Sequence, residues 1–261
     1  MKNRTKLIAI LAVLIVGSIS AIKKPKHTLY IIGDSTVKAG GGNGEQSMWG
    51  WGSVVDSYFN KKKLAIENHA IGGRSSRTFL TDGRWEPLLA KMQAGDFLIM
   101  QFGHNDDWAI NDTIRARGTI KGIGEEMEEI DNLITKKHEV VHSYGWYLRK
   151  YISEAQAKGV QVMVCSPVAR NNFDDNSKIK RPEEYYPKWA RQVAEQTGAC
   201  FIDLHEYIAS EYDKLGQAEV KERYFTPKDN THTSLDGALL NARMVLRGVE
   251  NCDNKLKKYI K

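Results

Sequence analysis

The chain has 261 residues, 41% of them hydrophobic and 27% charged, a size and balance that suit one sizeable domain. Its formal net charge is +6, but Lys2, Arg4 and Lys6 supply three of those charges, so the chain beyond residue 21 carries only +3. A balance this mild suits an acidic polysaccharide as well as nucleic acid, and its plainest meaning is a solvated surface.

In chain order, the first 21 residues place those three basic side chains before an apolar run, Leu7–Val16, and close on Gly17, Ser18, Ser20 and Ala21. That pattern is a secretory signal peptide with cleavage near Ala21, and it predicts a secreted or periplasmic product. The apolar core is too short to span a bilayer, so no stable membrane insertion is expected after cleavage. Residues 22–261 are read as one domain.

Five short apolar runs bounded by turn residues predict buried strands: Thr28–Ile32, Leu64–Ile71, Asp96–Phe102, Val160–Cys165 and Cys200–Leu204. Helical spacing recurs between and after them at Arg84–Gln93, Val140–Lys158, Pro182–Gln196 and Ser234–Val249. Uninterrupted apolar strands alternating with helices predict a doubly wound α/β fold, a parallel sheet covered on both faces. Gly40–Gly44 reads as a loop near the mouth, and Trp108–Lys137 as an insertion with weak helical character. Cys165, Cys200 and Cys252 are too few and too scattered for a disulfide framework. Cys165 and Cys200 lie in apolar runs and are expected to be buried thiols.

In such a fold, ligands gather at the carboxyl ends of the strands. Gly33-Asp34-Ser35 ends the first strand, where a serine after a sharp turn is well placed as a nucleophile. Near the C-terminus, Asp229-Asn230-Thr231-His232 offers a carboxylate three residues before an imidazole, a spacing at which Asp229 can orient His232 as the base for Ser35. The N–H groups of Gly73 and Ser35 and the Asn105 amide, all at strand ends, supply donors for an oxyanion. Taken singly, each is as well explained by a capped turn or an Asx-turn. Their joint occurrence in order along a predicted parallel sheet points to acyl transfer.

The blocks that carry this quartet, GDST at Gly33–Thr36, AIGGRSSRTF at Ala70–Phe79, FGHND at Phe102–Asp106 and DNTHTS at Asp229–Ser234, resemble those of the SGNH (GDSL-like) hydrolase superfamily. Further segments, WGWG at Trp49–Gly52, RGTIKG at Arg117–Gly122 and GWYLRKY at Gly145–Tyr151, are similar to those of the rhamnogalacturonan acetylesterase family. The resemblance spans nearly all the mature chain. It implies a three-layer α/β/α sandwich with a five-stranded, flavodoxin-like parallel sheet. It also implies a carbohydrate acetylesterase with Ser35 as nucleophile, His232 as base, Asp229 as its orienting acid, and Ser35, Gly73 and Asn105 as oxyanion donors. No cofactor or metal is implied, and the expected partner is an acetylated acidic polysaccharide, not nucleic acid.

Arg74, Arg77, Arg84 and Arg170 lie near predicted strand ends and can meet a uronate carboxylate, while Trp49, Trp51 and Trp108 can cover a sugar face. Salt bridging and core packing are the ordinary alternatives for these side chains. His138-Glu139-Val140-Val141-His142 matches the H-E-x-x-H zinc signature, but Leu148 stands where the longer motif has a third histidine. It is read as the exposed start of a helix, with a zinc hydrolase as the competing possibility. The remaining alternatives are an esterase for other acylated glycans, such as xylan or sialic acid, and a glycan-binding protein without chemistry.

Overall fold

The computed structural model describes residues 26–181 and 185–261. The signal peptide expected at residues 1–21 and the first three residues of the helix expected from Pro182 lie outside the described residues. Seven strands are described: β1 (His27–Gly33), β2 (Leu64–Asn68), β3 (Phe97–Gln101), β4 (Met127–Asp131), β5 (His138–His142), β6 (Gln161–Cys165) and β7 (Cys200–Ile202). The helices are α1 (Ser76–Thr81), α2 (Trp85–Lys91), α3 (Tyr144–Ala157), α4 (Tyr186–Thr197), α5 (Leu204–Leu215), α6 (Gln217–Glu219) and α7 (Leu235–Asn251).

Five strands form one parallel sheet in the order β2-β1-β3-β6-β7. The pleat sends successive side chains to opposite faces. On β1, Leu29 and Ile31 join one core while Tyr30 and Ile32 join the other; Phe97 and Ile99 part from Leu98 and Met100 on β3 in the same way. Helices α5 and α7 cover the first face and α1 to α4 the second. Both faces are therefore covered, which is why the central strands carry consecutive apolar residues, Leu29–Ile32 on β1, Phe97–Met100 on β3 and Val162–Cys165 on β6. The fold is the expected α/β sandwich.

Three expectations fail locally. The segment from Val140 does not begin a helix: His138–His142 is strand β5, paired antiparallel with β4 in a separate hairpin. Ser143 then caps α3, its hydroxyl accepting the N–H of Trp146 at 3.1 Å. Within Trp108–Lys137 the one regular element is β4, so the insertion is not helical. Cys200 is not a free thiol either. It is bonded to Cys252, with Cα atoms 5.9 Å apart, because the end of α7 returns beside β7. Cys165 is a buried thiol, as its apolar run suggests.

Candidate active site

Three strand ends and one loop converge. β1 stops at Gly33, where a side chain would stand 2.5 Å from Val37 and 2.6 Å from the Gln101 carbonyl, so only glycine lets the chain pass. The next turn is closed by the Asp34 carbonyl, which accepts the N–H groups of Val37 and Lys38 at 3.2 and 3.0 Å. Ser35 sits at its head, half-buried. Its Oγ lies 2.9 Å from His232 Nε2, and His232 Nδ1 lies 2.7 Å from Asp229 Oδ2. The second Asp229 oxygen accepts the N–H groups of Thr231 and His232 at 2.8 and 2.7 Å. Partial burial pushes the Asp229 carboxyl up, but these hydrogen bonds and the facing imidazole outweigh it and hold the group below its ordinary range. The loop carrying His232 is stitched to Trp49, whose N–H donates to the Thr233 carbonyl at 2.9 Å and whose carbonyl accepts the Thr233 hydroxyl at 2.8 Å.

The donors come from the neighbouring strand ends. Gly73 has φ +78°, a left-handed conformation that frees its N–H from the β2 extension, and Gly72 packs beside Ser35. Among the described residues, the N–H groups of Ser35 and Gly73 have no acceptor. Asn105, 6% exposed, gives one amide hydrogen to the Arg74 carbonyl at 2.9 Å and keeps the other. Asp106 ties this loop to the first turn of α1, accepting the Ser76 hydroxyl at 2.5 Å and the Ser76 N–H at 3.0 Å. Burial raises the Asp106 carboxyl to about 7. A serine, an imidazole and an ionised acid in line, beside three unspent donors, can carry a nucleophilic displacement at a carbonyl.

Beneath the serine runs a buried polar chain that the sequence did not reveal. Asp34 Oδ1 accepts the Thr36 N–H at 2.8 Å and hydroxyl at 2.7 Å, Gln101 donates to that same hydroxyl oxygen at 2.6 Å, and Trp51 Nε1 donates to Gln101 at 2.8 Å. Asp34 is thus a brace for the Ser35 turn, and burial raises its carboxyl pKa. Trp51, a candidate for a sugar face, is fully buried and serves this chain instead. Arg77, a candidate for a uronate, is likewise 0% exposed: its fork holds Glu139 at 2.6 and 2.8 Å.

The other candidates are accessible. Trp108 is 43% exposed, and Trp49 is half-buried. Arg74 pairs with Asp82 at 2.5 Å, and Arg84 stands 3.7 Å from the same acid. Arg170 is half-buried on a segment whose next residue, Asn171, donates its N–H to Asn230 of the His232 loop at 2.9 Å. The H-E-x-x-H segment does not have the geometry of a zinc site. That motif needs one helical turn between its histidines, whereas four residues of strand β5 set His138 and His142 about 13 Å apart along the chain. Its Glu139 is occupied by Arg77 and by Asn132 at 3.1 Å.

The model of the GDSL-like lipase/acylhydrolase family matches residues 31–239. A rhamnogalacturonan acetylesterase of Emericella nidulans is 30% identical over 225 residues, 85% of this chain and 84% of its own. The rhamnogalacturonan acetylesterase RhgT of Bacillus subtilis is 29% identical over 251 residues, 92% of this chain and 96% of its own. Among solved structures, the YxiM protein of Bacillus subtilis superposes with a TM-score of 0.69 at 22% identity. That match covers 86% of this chain, which spans 56% of the YxiM structure.

Proposed function

The chain belongs to the GDSL-like lipase/acylhydrolase family, and we propose from that premise that it is an exported serine esterase removing O-acetyl groups from pectic polysaccharide, with the rhamnogalacturonan backbone as substrate. The observation that carries the reading is the unbroken relay Ser35–His232–Asp229, at 2.9 and 2.7 Å, beside the unspent donors of Ser35, Gly73 and Asn105. Ser35 Oγ attacks the acetyl carbonyl while His232 Nε2 takes its proton, and the oxyanion falls among the three donors. Collapse expels the sugar oxygen, which takes the proton back from His232 and leaves the acetyl group on Ser35. Water, deprotonated by the same imidazole, then attacks the acyl-enzyme, and acetate departs as Ser35 recovers its proton.

The substrate assignment draws on the two rhamnogalacturonan acetylesterases similar over 84–96% of their own lengths. Export draws on the basic and apolar pattern of residues 1–21 and on the Cys200–Cys252 bond, a linkage that persists in oxidising compartments. Acetate release from a panel of acetylated rhamnogalacturonan, xylan and sialic acid tests the reading. The expected outcome is a kcat/KM highest on rhamnogalacturonan. A clear preference for xylan or sialic acid would reassign the substrate, and tight pectin binding with no acetate release would make the chain a glycan-binding protein.

A further inference from the structure

A groove of about 720 Å³ reaches the reacting centre at Gly73 and is lined also by Arg74, Arg115, Arg117 and, from the hairpin region, Asn132 and Lys137. Resting on the esterase reading of Ser35, we propose that this groove is a carboxylate subsite in which Arg115 and Arg117 hold the uronate adjoining the acetylated sugar.

The loop that carries both arginines is built in advance. One oxygen of Asp112 accepts three successive N–H groups, those of Ile114, Arg115 and Ala116, at 2.9, 2.6 and 2.8 Å. Ala116 is buried with φ +40°, a conformation that costs a non-glycine residue energy and persists only where its surroundings hold it. From below, Arg77 donates to the carbonyls of Ile110 and Gly118, both at 2.8 Å, pinning the loop on either side. The charge of Arg77 is met by Glu139.

Arg115 and Arg117 have no such partner. Among the described residues no carboxylate lies within 4.0 Å of either guanidinium. Both instead pack on the Trp108 ring, 4.8 and 4.9 Å from its centre. Arg117 is 8% exposed, gives one hydrogen bond, from Nη1 to the Gly73 carbonyl at 3.1 Å, and has a buried Nε with no acceptor. Burial, with Arg115 and Arg74 nearby, lowers its pKa to about 10. Asp34 and Asp106 act on it only from beyond 4.0 Å. Two like charges held together, one with unspent donors, form a site for an anion. A planar fork suits a carboxylate, and the exposed ring of Trp108 suits the face of the sugar that bears it. Because Arg117 touches Gly73, a carboxylate bound there lies on the sugar next to the acetyl group.

A cycle that alters protein and substrate together tests this. The probes are an acetylated oligosaccharide containing galacturonate and the same oligosaccharide with its carboxyls reduced to alcohols. The wild type should have a KM about tenfold or more lower for the carboxylate form, as expected for a charge-assisted pair. In Arg115→Gln, an exposed position, the two values should come within about twofold. Discrimination that survives in Arg115→Gln, its absence from the wild type, or an equal rise of KM for both probes would overturn the subsite. The same ratio read as Kd by calorimetry in Ser35→Ala and in Ser35→Ala/Arg115→Gln decides the subsite even if no acetate is released, an outcome that would remove the esterase reading instead.

Discussion

Two carboxyls stand near the Ser35–His232 pair, and their surroundings give them different work. Asp229 accepts from the His232 ring and from two backbone N–H groups, so it is ionised and aims the imidazole. Asp34 is fully buried, reaches no imidazole, and spends one oxygen on Thr36. Asp229→Asn should therefore lower kcat by about 10³–10⁴-fold, because an amide favours the wrong tautomer of His232. A loss within a few-fold, read by acetate release, would remove Asp229 from the relay. The motifs made the proposed catalytic residues legible: Ser35, Gly73 and Asn105 follow strand ends that the apolar runs had already marked, and Asp229 and His232, on a loop before α7, were found by their three-residue spacing. The brace Asp34–Thr36–Gln101–Trp51 was not legible, because it joins residues 65 and 50 positions apart that no local spacing relates. Asp106 offers a pH test at the same scale. Burial lifts its folded pKa to about 7 from an ordinary value of 3.8, so the folded chain holds a proton there that the unfolded chain has lost. Its contribution to stability is full below about pH 4 and drains away as pH rises towards 7. Asp106→Asn cannot titrate, and thermal melts from pH 4 to 7 should show the wild type losing stability with rising pH relative to this variant. Parallel profiles would contradict the raised pKa.

At the scale of elements, the β4–β5 hairpin is the part that sequence periodicity misjudged. His138, Val140 and His142 share one side of β5 while Glu139 and Val141 face the other, an alternation of period two. The adjacent valines and the helical pattern of Tyr144–Ala157 masked it, because the apolar spacing runs on into α3 without a break until Ser143 is seen as a cap. What fixes the hairpin to the domain is the pair Arg77–Glu139, 62 residues apart, with a fully buried guanidinium. Partial burial pushes the Glu139 carboxyl up, but its hydrogen bonds from Arg77 and Asn132 pull it below the ordinary range. A depressed carboxyl stabilises the fold at neutral pH and loses that effect as pH falls through its folded pKa. Glu139→Ala leaves Arg77 buried without its partner and should destabilise the chain by about 3–5 kcal/mol, measured by denaturant unfolding near pH 7. A change under about 1 kcal/mol would mean that the pair is not what holds the hairpin.

For the whole molecule, the five parallel strands and the covering of both sheet faces were readable from five apolar runs, because burial on both sides of the central strands leaves few polar positions to confuse the pattern, whereas the order β2-β1-β3-β6-β7 is set by pairings that no local run specifies. The Cys200–Cys252 bond was not readable either, since its partners are 52 residues apart and meet only when α7 returns to the sheet. In the chain-entropy account, closing a loop of that size stabilises the fold by about 4 kcal/mol. The sheet, its covering helices and that bond form the frame on which one serine, one imidazole and three donors are held. The role proposed for Ser35, nucleophile of an acetylesterase, is tested by acetate release from acetylated rhamnogalacturonan by the wild type and by Ser35→Ala, with melting temperatures recorded alongside. The wild type should release acetate, and Ser35→Ala should melt like the wild type yet lose about 10⁴–10⁶-fold in kcat. A folded Ser35→Ala that keeps the wild-type rate would contradict that role.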